Sequence, residues 1–188
     1  ITYKELFKRV KKCAMYLQVL GVKKGDRVAA FMPNIPEAII AMLATASVGA
    51  IWSSCSPDFG INGVLDRFSQ IKPKVLFVSD GYYYKGKTID LYSKIIDIRD
   101  SLDSVEKTIC VNLIGRSDIE SCMSWDKIPS VDGEFNFIQT DFSHPLYIMY
   151  SSGTTGKPKS IVHSAGGTLL QHMKELVLHT DLKRKDKI

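Results

Sequence analysis

Apolar residues recur along this chain in two alternating periods. Tyr3, Leu6, Phe7, Val10, Ala14 and Leu17 fall at helical spacing, Thr2 and Glu5 form a capping box before them, and Gly21 ends the run, which predicts an amphipathic helix. A short buried strand follows at residues 27–31, after the turn Lys24-Gly25-Asp26. Asn34, Pro36 and Glu37 open a second helix that runs to Val48 and stops at Gly49. Residues 50–55 read as strand and residues 60–71 as a helix with Val64, Leu65, Phe68 and Ile71 on one side, closed by Lys72-Pro73. A third strand is expected over 75–79, a helix over 89–102 and a fourth strand over 107–113. Tyr82, Tyr83 and Tyr84 could stack bases, but a short strand entering a hairpin at Lys85-Gly86-Lys87 is the preferred reading. Residues 114–140 are weakly periodic and read as a surface connection without chemistry, with Trp125 pinned inward.

The last quarter changes character. Leu146, Tyr147, Ile148 and Met149 make a strand-like run, and residues 160–163 read as a short strand returning antiparallel to it. Gly166-Gly167 is read as a break, and residues 168–178 as a final amphipathic helix with Leu169, Leu170, Met173, Leu176 and Val177 on its apolar side. Strand and helix alternate as a parallel sheet requires. The expected fold class is therefore α/β, a mostly parallel sheet with helices on both faces. Trp52, on a strand buried from both sides, is expected to fill the core.

At 188 residues such a chain can bury a core of ordinary size. The net charge of +5 is spread over small clusters at Lys8-Arg9, Lys11-Lys12, Lys23-Lys24 and Lys183-Arg184-Lys185. These lack interleaved aromatics and read as solvated helix faces, so no nucleic-acid partner is expected. No apolar run approaches the roughly 20 residues of a membrane span and no signal-peptide pattern opens the chain, so no membrane partner is expected and a cytoplasmic location is. Cys13, Cys55, Cys110 and Cys122 lie far apart, which argues against a zinc site and for reduced thiols. The chain opens on Ile1 rather than Met and reads as a piece of a longer one.

The residues that carry chemistry are concentrated between the last two strands, in Tyr150-Ser151-Ser152-Gly153-Thr154-Thr155-Gly156-Lys157-Pro158-Lys159. None of Ser151, Ser152, Gly153, Thr154, Thr155 and Gly156 can pack a core. Hydroxyls, glycine-freed N–H groups and the ammonium groups of Lys157 and Lys159 are all donors, and their complement is an anion rich in acceptor oxygens, a polyphosphate above all. Ordering each backbone residue costs roughly 1–2 kcal/mol. Charge-assisted hydrogen bonds of about 1.5–3 kcal/mol each could offset that cost once phosphate is bound. A flexible Ser/Gly linker fits less well, because Lys157-Pro158-Lys159 and the apolar Ile161-Val162 are poor linker material. A Walker A loop is excluded: Gly153 and Gly156 are too close, and Pro158 stands where Ser or Thr should follow the lysine. His163, between strand and glycine pair, is a candidate contact for substrate or phosphate beside a purely structural role. His172 and His179 read as polar-face residues.

The same stretch resembles the phosphate-binding signature [ST]-[SG]-G-[ST]-T-G-x-P-K of the acyl-adenylate-forming, AMP-binding superfamily. Thr2-Tyr3-Lys4-Glu5-Leu6, Gly25-Asp26-Arg27-Val28 and Pro33-Asn34 look like further segments of it, so the likeness covers nearly the whole chain. Residues 49–60 and 161–169 resemble the acetoacetate-activating branch in particular. Ser160 departs from the pattern, since many relatives carry Gly there.

The resemblance implies a ligase that uses ATP, Mg2+ and CoA to convert acetoacetate to its CoA thioester through an acyl-adenylate. Another short-chain acid such as acetate or propionate, or a non-catalytic nucleotide-binding module, are the alternatives. Residues 1–188 would then be part of the N-terminal AMP-binding domain, with the phosphate loop at 150–159 and the small C-terminal domain absent. Ser151, Ser152, Thr154 and Thr155 would donate from hydroxyls, Gly153 and Gly156 from close backbone, and Lys157 and Lys159 would face the β- and γ-phosphates. The family's adenine-binding aromatic, ribose-binding Asp, hinge and catalytic Lys would all lie past Ile188. No catalytic residue and no metal ligand is therefore expected here, and the stretch alone should be inactive.

Overall fold

The computed structural model describes residues 1–116, 119–151 and 156–186. Helix α1 (Tyr3–Val19) leads into strand β1 (Arg27–Phe31), α2 (Pro36–Ser47), β2 (Ile51–Cys55), α3 (Ile61–Ile71) and β3 (Val75–Ser79). A hairpin of β4 (Gly81–Tyr84) and β5 (Lys87–Asp90) precedes α4 (Tyr92–Asp100), β6 (Lys107–Val111) and β7 (Cys122–Ser124). Strands β8 (Pro145–Ser151) and β9 (Lys159–Ser164) and helix α5 (Ala165–Met173) complete the order. The large sheet runs β7-β6-β3-β1-β2-β8-β9. Its strands are parallel except for β9, which returns antiparallel to β8.

Side chains alternate across this sheet, and each face has its own core. Val28, Ala30, Trp52, Phe77 and Ile109 meet Val10, Ala14 and Leu17 of α1 and Ile40, Ala41 and Ala44 of α2. Ala29, Phe31, Ile51, Leu76 and Val78 meet Val64, Phe68 and Ile71 of α3 and Ile95 and Ile98 of α4. The two layers follow from the strand order. The connection from β1 steps to one side of it and the connection from β2 steps back past it, and right-handed crossovers then place α2 and α3 on opposite faces. Trp52 packs as expected, buried with its ring 6.4 Å from that of Phe77.

Several local expectations need correction. Gly166-Gly167 is not a break but the first turn of α5, with the Ser164 hydroxyl accepting from the Gly167 N–H at 3.2 Å. Glycine is required at 166 by close approach, since a Cβ there would sit 2.1 Å from the Phe142 ring. Ile89 and Asp90 belong to the hairpin and not to the following helix. Lys85 and Gly86 take φ of 48° and 75°, the two left-handed residues of a tight turn, so the residues after them must pair back.

The connection after β6 is not featureless, for β7 adds a parallel edge strand there. Three residues are too few to show a period. At the other end of the sequence, Thr2 caps α1 but Glu5 turns to Arg9 at 3.0 Å, so the capping box is half formed. Tyr3 and Phe7 stay exposed, because the inward stripe of α1 is Val10, Cys13, Ala14 and Leu17. The apolar side of α5 is likewise open: Leu169, Leu170, Met173, Leu176 and Val177 are 42–62% exposed, with a π-helical turn over Lys174–His179.

Asp80 is the one charged residue that is buried among the described residues. Its carboxylate is fully buried and accepts the N–H groups of Leu113 at 2.7 Å, Ile114 at 3.0 Å and Arg116 at 2.9 Å, ending β6 at Val111 and turning the chain outward. Among the described residues no cation forms a salt bridge with it. Replacing it leaves three N–H donors, part-buried in these bonds, without their acceptor. Asp80→Ala is expected to lower stability by about 3–5 kcal/mol in urea unfolding, against about 0.5 kcal/mol or less for the exposed Asp103→Ala.

Candidate functional site

Polar side chains have little room in a sheet buried on both faces, and the chemistry collects at the carboxyl ends of the strands. There β1 and β2 send their connections to opposite faces, the arrangement at which open α/β sheets take ligands. A cleft of about 260 Å³ opens at this point, lined by Asn34, Ser54, Ser56, Asp58 and Tyr82 among others. Buried Tyr82 donates its hydroxyl to Asp58 at 2.8 Å, and that bond, with burial, holds the phenol above its ordinary pKa.

Strand β8 reaches the same edge beside β2. The buried Ser53 hydroxyl donates to the Ile148 carbonyl at 3.0 Å, so the two strands are tied by a side chain as well as by backbone. The β8–β9 pairing runs to Tyr150 opposite Ser160 and Ser151 opposite Lys159. That register fixes both roots of the glycine- and hydroxyl-rich loop at one edge of the molecule. Of the residues expected to bind nucleotide, Ser152, Gly153, Thr154 and Thr155 lie outside the described residues. Gly156 takes φ of +132° with no atom within 4 Å of where a Cβ would be, leaving its backbone open to close approach. Lys157 is 80% exposed with its ammonium 3.8 Å from the Asp66 carboxylate, and Lys159 is exposed on the far root.

Helix α3 supports this edge from beneath. Tyr150 donates its hydroxyl to the Arg67 carbonyl at 3.1 Å, and burial pushes its phenol pKa up. The Arg67 guanidinium lies over the Phe59 ring at 4.5 Å and the Tyr150 ring at 5.6 Å, and donates to the Gly63 carbonyl at 2.6 Å. Asp66, Arg67 and Gln70 were not foreseen from the sequence. On an amphipathic helix they read as ordinary solvated positions, and nothing in their spacing marks a ligand.

His163 stands four positions along β9 from Lys159, roughly 13 Å at about 3.3 Å per residue. Its ring packs on Tyr147, with centroids 5.1 Å apart.

The donor set fits a polyphosphate: two cations, an open glycine and a strand-end serine, with Asp66 as the carboxylate next to them. Among the described residues no group of three or more His, Cys, Asp or Glu side chains could hold a metal by itself. Mg2+ would fit here as a companion of phosphate oxygens, its usual mode of binding. Among the same residues no helix is long and apolar enough to cross a membrane.

Fold and edge together describe an α/β protein of mostly parallel sheet, with a donor-rich connection rooted at the carboxyl edge of its strands. The chain belongs to the AMP-binding enzyme family, whose profile matches residues 1–188. It is similar to the acetoacetyl-coenzyme A synthetase of Rhizobium meliloti (strain 1021), 49% identical over 195 residues that cover 100% of this chain. The acetoacetyl-CoA synthetase of Gallus gallus is 44% identical across 99% of it. The solved structure of the acetoacetyl-CoA synthetase from Streptomyces lividans superposes with a TM-score of 0.95 at 46% identity, covering 99% of this chain and 29% of that one. The chain spans about 30% of the length of the curated relatives it matches.

Burial suppresses thiol chemistry at the cysteines, which are spread over α1, β2, β6 and β7. Burial pushes the thiols of Cys13, Cys55 and Cys110 from the ordinary 9.0 up to about 12, and that of Cys122 upward as well. Above pH 9 the unfolded chain gives up thiol protons that the fold retains, so it binds fewer protons and stability falls as pH rises from about 9 to about 12. A disulfide reagent at pH 8 is expected to leave Cys13, Cys55 and Cys110 unlabelled in the native protein and to label them after unfolding. Urea midpoints at pH 8, 9 and 10 should decline in that order.

Proposed function

We propose that this chain is the phosphate-gripping portion of an ATP-dependent, AMP-forming ligase that activates acetoacetate as its CoA thioester. The observation that carries the reading is the β8–β9 register, which sets Ser151 against Lys159 at the carboxyl edge with Lys157 between them in sequence. Further support comes from the family match and from the similarity to acetoacetyl-CoA synthetases. Residues 1–188 belong to the large N-terminal domain in this reading, with the phosphate loop at 150–159, and the adenine pocket, the CoA site and the small C-terminal domain are supplied by other residues. The enzyme works in the cytosol.

In the first step a carboxylate oxygen of acetoacetate attacks the α-phosphorus of ATP, the bond to the bridging oxygen breaks, and pyrophosphate leaves. Negative charge grows on the departing β- and γ-phosphates, and Lys157 and Lys159 are there to neutralise it. Hydroxyls of Ser151, Ser152, Thr154 and Thr155 and the backbone at Gly153 and Gly156 orient the same oxygens. Mg2+ brought in with the nucleotide would supply further charge screening beside these residues. In the second step CoA thiolate attacks the acyl carbon and AMP leaves.

Pyrophosphate–ATP exchange by the full-length protein, measured with acetoacetate, acetate, propionate or no acid, tests this directly. Exchange is expected with acetoacetate first. Exchange with acetate or propionate instead would reassign the acid, and exchange with none would leave a non-catalytic nucleotide-binding module. Lys159→Ala is expected to slow exchange by about 10- to 150-fold, the worth of one charge-assisted hydrogen bond. The exposed Lys185→Ala should change it by about fivefold or less.

A further inference from the structure

Gln70 sits on the polar side of α3 and bridges two residues at the exit of the loop. Its Nε2 donates to the Pro158 carbonyl at 2.9 Å, and its Oε1 accepts from the Ser160 hydroxyl at 3.0 Å. The same Nε2 donates to the Asp66 carbonyl in its own helix at 2.6 Å. Two carbonyls and one hydroxyl leave the amide a single sensible orientation, with nitrogen toward the carbonyls and oxygen toward the hydroxyl. Pro158 and Ser160 are the two chain neighbours of Lys159. On β9 side chains alternate, so Ser160 faces α3 while Lys159 faces the other way. Fixing both neighbours therefore fixes the direction in which Lys159 leaves the strand.

We propose that Gln70 is a positioning residue for Lys159, acting through Pro158 and Ser160 to aim that cation at the bound polyphosphate. The inference rests on the phosphate-site reading given above. It gives the Ser160 hydroxyl a role that glycine at that position could not fill, namely holding the Gln70 amide in its bridging pose.

Steady-state kinetics of the full-length enzyme with MgATP and acetoacetate test the proposal. Gln70→Ala and Ser160→Ala should each lower kcat/KM for MgATP by about twofold to tenfold, the range for one or two lost hydrogen bonds, with Tm nearly unchanged. Ser160→Thr keeps the hydroxyl on a residue suited to a strand and should restore the wild-type kcat/KM. The double variant should be no worse than Gln70→Ala alone, because both belong to one network.

Hydrogen exchange at the Lys159 and Ser160 amides of the nucleotide-free protein should quicken in Gln70→Ala. Unchanged kcat/KM in an active enzyme, effects that track Tm, or multiplying effects in the double variant would overturn the proposal. If the wild type adenylates no acid, the functional reading fails, and the exchange measurement still decides whether Gln70 holds Lys159's neighbours.

Discussion

Burial of the central strands on both faces is the constraint from which the rest of this structure follows. Val28, Ala29, Ala30 and Phe31 of β1 are fully buried, as are Leu76, Phe77 and Val78 of β3. A phosphate-binding side chain placed there would have to be desolvated without a partner, at a cost of several kcal/mol. Function is therefore displaced to the strand ends, where backbone and side chain meet water. Asp80 shows what the interior demands of a charge that does stay inside: its carboxylate is spent on N–H groups of the outgoing chain and is not available to a ligand.

Helix α3 connects the two regimes. Val64, Phe68 and Ile71 bury one side of it in the sheet, and this apolar grip sets where the opposite side stands. From that opposite side Asp66, Arg67 and Gln70 reach the two roots of the loop. The loop is thus located by hydrophobic packing one layer away, transmitted through hydrogen bonds of ordinary length. A core substitution at Phe68 would be felt at the loop without touching it.

The central sheet was legible in the sequence because its strands and helices obey the periods that burial imposes. Strands β1 and β3 match their predicted bounds, and β8 and β9 pair in the expected antiparallel sense. Failures fall where a long-range contact outweighs local pattern. Gly166-Gly167 looked like punctuation because the Phe142 ring that demands a bare backbone there is distant in sequence. The leucines of α5 had the spacing of a core face, yet no described element covers them. For the site, donor-rich composition announced the loop itself. Gln70 carried no mark of its own, since its meaning depends on where Pro158 and Ser160 come to rest.

The ion pair between Lys157 and Asp66 is weak by design of its surroundings. Both groups face solvent, at 80% and 40% exposure and 3.8 Å apart, so the pair is worth about 0–1 kcal/mol. A polyphosphate offers more charge and several acceptor oxygens at once, so it can draw the ammonium away from a single carboxylate. Asp66 can therefore hold the lysine near the site without competing strongly for it. Lys159 has no such tether among the described residues, and it is its chain neighbours Pro158 and Ser160 that are held, by hydrogen bonds to Gln70. The two lysines are thus held by different means, one through its own ion pair and one through the residues on either side of it.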